Sequence, residues 1–173
     1  MKKLSCIILL ICGVGEILNA QTSSIKNLPA ADIKTLDGKI VNSSKLSKNG
    51  NPIIISFWAT WCKPCKKELD AISEKYDDWT KQTNVKLIAI SIDDSRSALK
   101  VNADVKSKDW PYEIYIDENQ DFKRAMSVNS IPHTFIIDGK GNIVWQHNSY
   151  AEGDEDILYE ALKKITAGET PKE

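Results

Sequence analysis

The sequence predicts an α/β fold in which a mixed sheet is covered by helices on both faces. Three observations predict it. Runs rich in β-branched and aromatic residues alternate with stretches of helical periodicity. Two of those runs are apolar almost throughout, as strands covered on both faces must be. The chain then closes on a hairpin pattern followed by an amphipathic segment. At 173 residues, with 42% hydrophobic and 27% charged positions, the chain has the size of one domain and an ordinary globular composition, which excludes collagen, coiled coil and wholesale disorder. Lys+Arg 23 against Asp+Glu 24 gives a net charge of -1, so there is no electrostatic pull toward nucleic acid.

Taken in order, Ile33-Lys34-Thr35-Leu36 and Lys39-Ile40-Val41 flank Asp37-Gly38, a hairpin signal because the turn needs positive φ. Ile53 to Trp58 follows Pro52 and reads as a central strand. After Cys65, apolar residues at Leu69, Ile72, Tyr76 and Trp79 fall on one helix face, predicting a helix to about Trp79. Val85 to Ile92 is a second buried strand, Ser95 to about Val105 a helix, and Tyr112 to Ile116 a short strand. Asp121 to Met126 is a short helix. Thr134 to Ile137 and Ile143 to Gln146 form a hairpin about the turn Asp138-Gly139-Lys140-Gly141-Asn142, which resembles part of a calcium loop but lacks its later carboxylates. Asp154 to Ile165 closes the domain, with Ile157, Leu158, Ala161, Leu162 and Ile165 predicted on one buried face. Asp93-Asp94 reads as a loop end that caps the next helix.

The first residues have the pattern of a secretory signal peptide. Lys2 and Lys3 precede the apolar run Leu4 to Val14, and Leu18-Asn19-Ala20 places a small residue before Gln21. The run is short of the roughly 20 residues a spanning helix needs, so cleavage after Ala20 is expected in preference to a retained anchor. A lipid on Cys12 is the lesser alternative, since Ile11 is bulky where lipoprotein signals have a small residue. The expected organisation is a signal peptide over residues 1–20, a flexible leader over 21–29, one domain over 30–166 and a tail over 167–173. The protein is expected to be exported, periplasmic, mildly acidic and not inserted in the membrane after cleavage.

Cys6 and Cys12 lie in the apolar run, so the mature chain keeps one pair, Cys62 and Cys65, in a C-x-x-C arrangement. A disulfide across so short a loop adds little stability in the chain-entropy model, which points to chemistry. Cys62 follows a buried strand and opens a helix, where unpaired N–H groups and the helix dipole favour a thiolate. Lys63, Lys66 and Lys67 add positive charge there and lower a thiol pKa further, although they oppose the dipole. Pro64 suits the first turn. Cys65 should face inward while Cys62 stays at an exposed tip, so that one attacks and the other resolves. A zinc half-site would need further ligands, and His133 and His147 lack the common spacing. Haem attachment needs a His where Lys66 stands. A redox dithiol remains, with a redox-inactive pair in a binding domain as the alternative.

Phe57-Trp58-Ala59-Thr60-Trp61-Cys62-Lys63-Pro64-Cys65, followed later by Ser130-Ile131-Pro132-His133-Thr134, resembles the thioredoxin superfamily over roughly Ala30 to Ile165. The N-terminal hairpin, the extra helix and strand from about Ser95 to Ile116, and Lys66-Lys67-Glu68 are similar to its exported TlpA/ResA branch. The resemblance implies a thioredoxin-like sheet with an N-terminal hairpin and a central helix-strand insertion. It also implies a thiol-disulfide oxidoreductase that reduces protein disulfides, with cytochrome c maturation as one known setting. It implies a cis bond at Ile131-Pro132 facing the redox pair, with Ile131, Pro132 and the neighbouring Trp61 contacting substrate.

One position departs from the superfamily pattern. Thioredoxins carry a buried Asp six residues before the first cysteine, and Ser56 stands there, unable to act as an acid or base near neutral pH. Glu68, three residues after Cys65, matches the active-site Glu of the branch and is the group expected to manage the Cys65 proton. The competing reading makes Glu68 a solvated carboxylate near the helix start. Trp58 is read equally as a shaper of the active-site surface or as a core residue, and His133 is read as taking no direct part in the chemistry. The expected catalytic set is Cys62, Cys65 and Glu68, with no metal or organic cofactor. The expected partners are disulfide-containing proteins and a membrane thiol donor, and the chain is expected to be a monomer. A thiol peroxidase stays open as an alternative, although peroxiredoxins carry Thr-x-x-Cys and Thr60 is only two residues before Cys62.

Overall fold

A computed structural model describes residues 27–47 and 50–169. The signal peptide, Cys6, Cys12, most of the leader and the last residues of the tail lie outside the described residues. The elements in chain order are β1 (Asp32–Thr35), β2 (Ile40–Asn42), β3 (Ile53–Trp58), α1 (Lys63–Thr83), β4 (Lys86–Ser91), α2 (Ala98–Lys108), β5 (Glu113–Ile116), α3 (Asp121–Ala125), β6 (His133–Ile137), β7 (Ile143–Asn148) and α4 (Asp154–Thr166).

The strands form one sheet in the order β2-β1-β5-β4-β3-β6-β7. Its centre is parallel, β5-β4-β3, because α1 and α2 each carry the chain back between neighbouring strands. Both margins are antiparallel: β6 and β7 beside β3, and the β1–β2 hairpin beside β5. The hairpin turns through Gly38 at φ 86°, a conformation that costs a residue with a Cβ. This is the mixed sheet the alternation of patterns implies, with α2 and β5 as the central insertion.

Side chains alternate across a strand, and β3 uses both faces. Phe57 meets Phe122 of α3 at 5.3 Å and Phe135 at 6.0 Å, whereas its neighbour Ser56 turns toward α1. Helices α1 and α3 therefore cover opposite faces. Helix α4 lies against α1, where Tyr159 stacks on Trp79 at 4.9 Å. Every residue of β3 is buried, as expected of a strand covered on both sides.

Two element boundaries and one buried face differ from expectation. Helix α1 runs to Thr83, past Trp79, because the buried Thr83 hydroxyl donates to Trp79 O at 2.7 Å and Asn84 ends the helix at φ 55°. The segment after Asp94 opens as a 3-10 turn, Ser95–Ser97, before α2 begins. Ile157, expected on the buried face of α4, is 56% exposed, while Leu158, Ala161 and Leu162 are buried. The stripe needed to seal α4 is narrower than its apolar sequence.

Candidate active site

Cys62 occupies the N-cap of α1, with φ -87° and ψ 98°, and its Sγ accepts from Cys65 N at 3.2 Å. Lys63 and Pro64 fill the first turn, where proline loses no intrahelical bond. One turn on, Cys65 is fully buried and disulfide-bonded to Cys62 across a Cα–Cα distance of 5.4 Å. Cys62 is not at an exposed tip, since only 5% of it reaches solvent. The disulfide draws its Sγ inward toward Cys65. The exposed group beside it is Trp61, at 68%. The Ile131-Pro132 bond is cis, with Ile131 half-buried and Pro132 buried at the entry to β6.

Glu68 is not solvated. It is 4% exposed and faces the sheet from the inner side of α1, one turn beyond Cys65. Its Oε2 accepts from the Ser56 hydroxyl at 3.0 Å and its Oε1 from the Thr134 hydroxyl at 2.8 Å. Those two donors are register partners across β3 and β6, so their side chains emerge together on the face that α1 covers. Burial pushes the Glu68 carboxyl up to about 7, while the Thr134 and Ser56 hydroxyls pull it back down and the Asp154 charge adds a smaller upward push. A carboxyl poised near neutrality can take and return a proton at working pH. Ser56, where thioredoxins have Asp, donates a hydrogen bond to Glu68.

The two hydroxyls work against burial, which sets a test. Removing the closer donor in Thr134→Val is expected to move the Glu68 ionisation to higher pH, read from the carboxyl stretch by infrared titration. A downward or absent shift would show that Thr134 does not stabilise the ionised form.

The remaining candidates separate clearly. Trp58 is a core residue, edge-on to Trp110 at 5.1 Å. His133 is buried, stacks on Phe135 at 4.1 Å and pairs its Nε2 with Gln146 Oε1 at 3.1 Å, and burial holds its pKa below the usual value. Asp138 shapes the β6–β7 turn by accepting from the backbone N of Lys140 and Asn142, both at 2.9 Å. Asp94 caps the following turn as expected, its Oδ1 accepting from Ser97 N at 3.1 Å. Asp93 does not cap that helix. Its carboxylate instead takes the backbone N and hydroxyl of Thr60 at 2.8 and 2.7 Å, tying the end of β4 to the loop before Cys62. The sequence carries no local sign of this contact, because the partners are 33 residues apart.

Residues 26–146 match the model of the AhpC/TSA family. A thiol-disulfide oxidoreductase ResA from Bacillus thuringiensis is 31% identical over 141 residues, covering 82% of this chain and 78% of that protein. A thiol:disulfide interchange protein DsbE from Haemophilus influenzae is 31% identical over 156 residues, covering 87% of this chain and 80% of that one. Among solved structures, a thioredoxin-like protein from Porphyromonas gingivalis aligns with a TM-score of 0.73 at 48% identity, covering 81% of this chain and 92% of the other.

Proposed function

The chain belongs to the AhpC/TSA family and is a thiol-disulfide oxidoreductase of the thioredoxin fold, and from that premise we propose that it is an exported reductant of protein disulfides. The carrying observation is the closed Cys62–Cys65 disulfide at the head of α1 with the buried Glu68 one turn below it. The Cys62 thiolate attacks one sulfur of a substrate disulfide, forming a mixed disulfide, and the second substrate sulfur leaves as a thiolate. Cys65 gives its proton to Glu68 and attacks the Cys62 sulfur. The first substrate sulfur is then released and the enzyme returns to the disulfide form. Glu68 passes the proton on, and a thiol donor in the membrane recharges the pair.

Trp61, exposed beside the disulfide, and the Ile131-Pro132 segment form the substrate contact in this reading. The signal pattern of residues 1–20 supports export to the periplasm, with 30–166 as the working domain, acting as a monomer. Among the described residues no helix is long and apolar enough to cross a membrane. Cytochrome c maturation is the setting that the TlpA/ResA resemblance favours. Peroxide chemistry is disfavoured by Thr60, whose hydroxyl is committed to Asp93.

The test uses the chain without residues 1–20. The reduced protein is expected to reduce insulin disulfides and to leave hydrogen peroxide unconsumed over the same period. Peroxide consumption without insulin reduction would replace this reading with the peroxidase.

A further inference from the structure

We propose that the buried carboxylate of Asp93 positions the loop before Cys62 and, through its charge, holds the Cys62/Cys65 couple at a more reducing potential. The proposal rests on the thiol-disulfide reading above. Asp93 is 3% exposed and lies just past β4. Its Oδ2 accepts from Thr60 N and from the Ser91 hydroxyl, both at 2.8 Å, and its Oδ1 accepts from the Thr60 hydroxyl at 2.7 Å. Ser91 Oγ in turn accepts from Asp93 N at 3.1 Å. Thr60 lies in the turn that Cys62 N closes by donating to Ala59 O at 3.0 Å, so the carboxylate clamps the chain two residues before the nucleophile.

All of these donors are neutral, and among the described residues Asp93 makes no ion pair. A buried charge without a counter-ion is costly, but Thr60 N–H, the Thr60 hydroxyl and the Ser91 hydroxyl together need acceptors on both oxygens, which a carboxylate supplies and an amide does not. The clamp therefore brings a negative charge to the chain two residues before Cys62. A negative charge anchored to the loop before Cys62 opposes its thiolate, and a pair whose reduced form is less stabilised is the stronger reductant.

The other charged and titratable groups around the pair act in both directions. Lys63, Lys66 and Lys67 on the same helix end favour the thiolate, and the Lys66 share is reduced by its pairing with Asp104 of α2 at 3.2 Å. Glu68 lies one turn further along α1, and His133 follows Pro132 on β6. Asp93 is the opposing charge on the β4 side.

The equilibrium to measure is enzyme disulfide plus two glutathione going to enzyme dithiol plus glutathione disulfide. The Cys62 pKa comes from the pH dependence of alkylation of the reduced enzyme. Asp93→Asn is expected to lower the Cys62 pKa and to shift the equilibrium about tenfold toward the dithiol, about 30 mV for a two-electron couple. Thr60→Val removes one hydrogen bond and leaves the charge, so it is expected to keep both quantities within about twofold of wild type. If Asp93→Asn leaves both unchanged, or if Thr60→Val shifts them equally, the proposal is overturned. Should Asp93→Asn not fold, Asp93→Ser supplies a smaller neutral acceptor and is held to the same outcomes. A wild-type protein that exchanges no thiols with glutathione would overturn the underlying thiol-disulfide reading itself, which distinguishes that failure from this one.

Discussion

Cys65→Ser is expected to accumulate mixed disulfides between Cys62 and partner proteins in cells, whereas Cys62→Ser is expected to accumulate none. The asymmetry follows from geometry. Cys62 is the N-cap residue of α1, next to the exposed Trp61 and itself slightly exposed, and Cys65 is fully buried one turn on. In the proposed mechanism Cys62 meets the substrate sulfur and Cys65 displaces it. Either substitution should lower turnover by roughly three orders of magnitude or more, because two groups that act as one unit fail together. Non-reducing gels of acid-trapped cells are the measurement. Equal trapping by the two variants would reverse or erase the assigned order.

Glu68→Gln is expected to remove an ionisation near pH 7 from the turnover profile and to slow resolution by Cys65 about a hundredfold, with attack by Cys62 retained. The same variant has a stability signature. Burial raises the folded carboxyl from an ordinary 4.5 to about 7, so between those values the folded state holds a proton that the unfolded state has released. Wild-type stability from this group is therefore fully present below about pH 4.5 and is lost as pH rises through 7. Gln is neutral throughout and avoids that loss. Its advantage should be absent at pH 4 and reach about 3 kcal/mol at pH 8, from the shift in pKa. Denaturant unfolding of both oxidised proteins at the two pH values reads the difference. A constant difference across pH would mean that Glu68 does not titrate in this range.

Much of the site is legible in the amino-acid sequence. The C-x-x-C pair stands at the junction of an apolar strand run and a helix face, and those patterns depend on residues within a few positions of one another. Glu68 is reachable through its spacing from Cys65 and its family resemblance, yet its burial is not. Helical spacing places a residue on a face without saying what covers that face. The accessibility of Cys62 escapes the sequence for a related reason: the N-terminal end of a helix is exposed in isolation, and here the disulfide turns the sulfur inward. Asp93 reads as a helix cap because Asp before a helix commonly is one, and its neighbour Asp94 alone takes that part.

By itself the sequence determined the element types, the hairpin at Asp37-Gly38, the redox pair and the end of the helix at which it sits. These rest on periodicity, turn chemistry and local spacing, which act within a single stretch of chain. Tertiary structure alone decided the strand order, the pairing that sets Ser56 opposite Thr134, and the clamp from Asp93 to Thr60. It also decided the ionisation of Glu68. A carboxyl one turn beyond Cys65 would keep an ordinary pKa in water, and it rises to about 7 because a sheet covers it, even though two hydroxyls from positions 12 and 66 residues away pull it back down. Desolvation depends on what is packed around a group, and long-range packing is not encoded in any one segment.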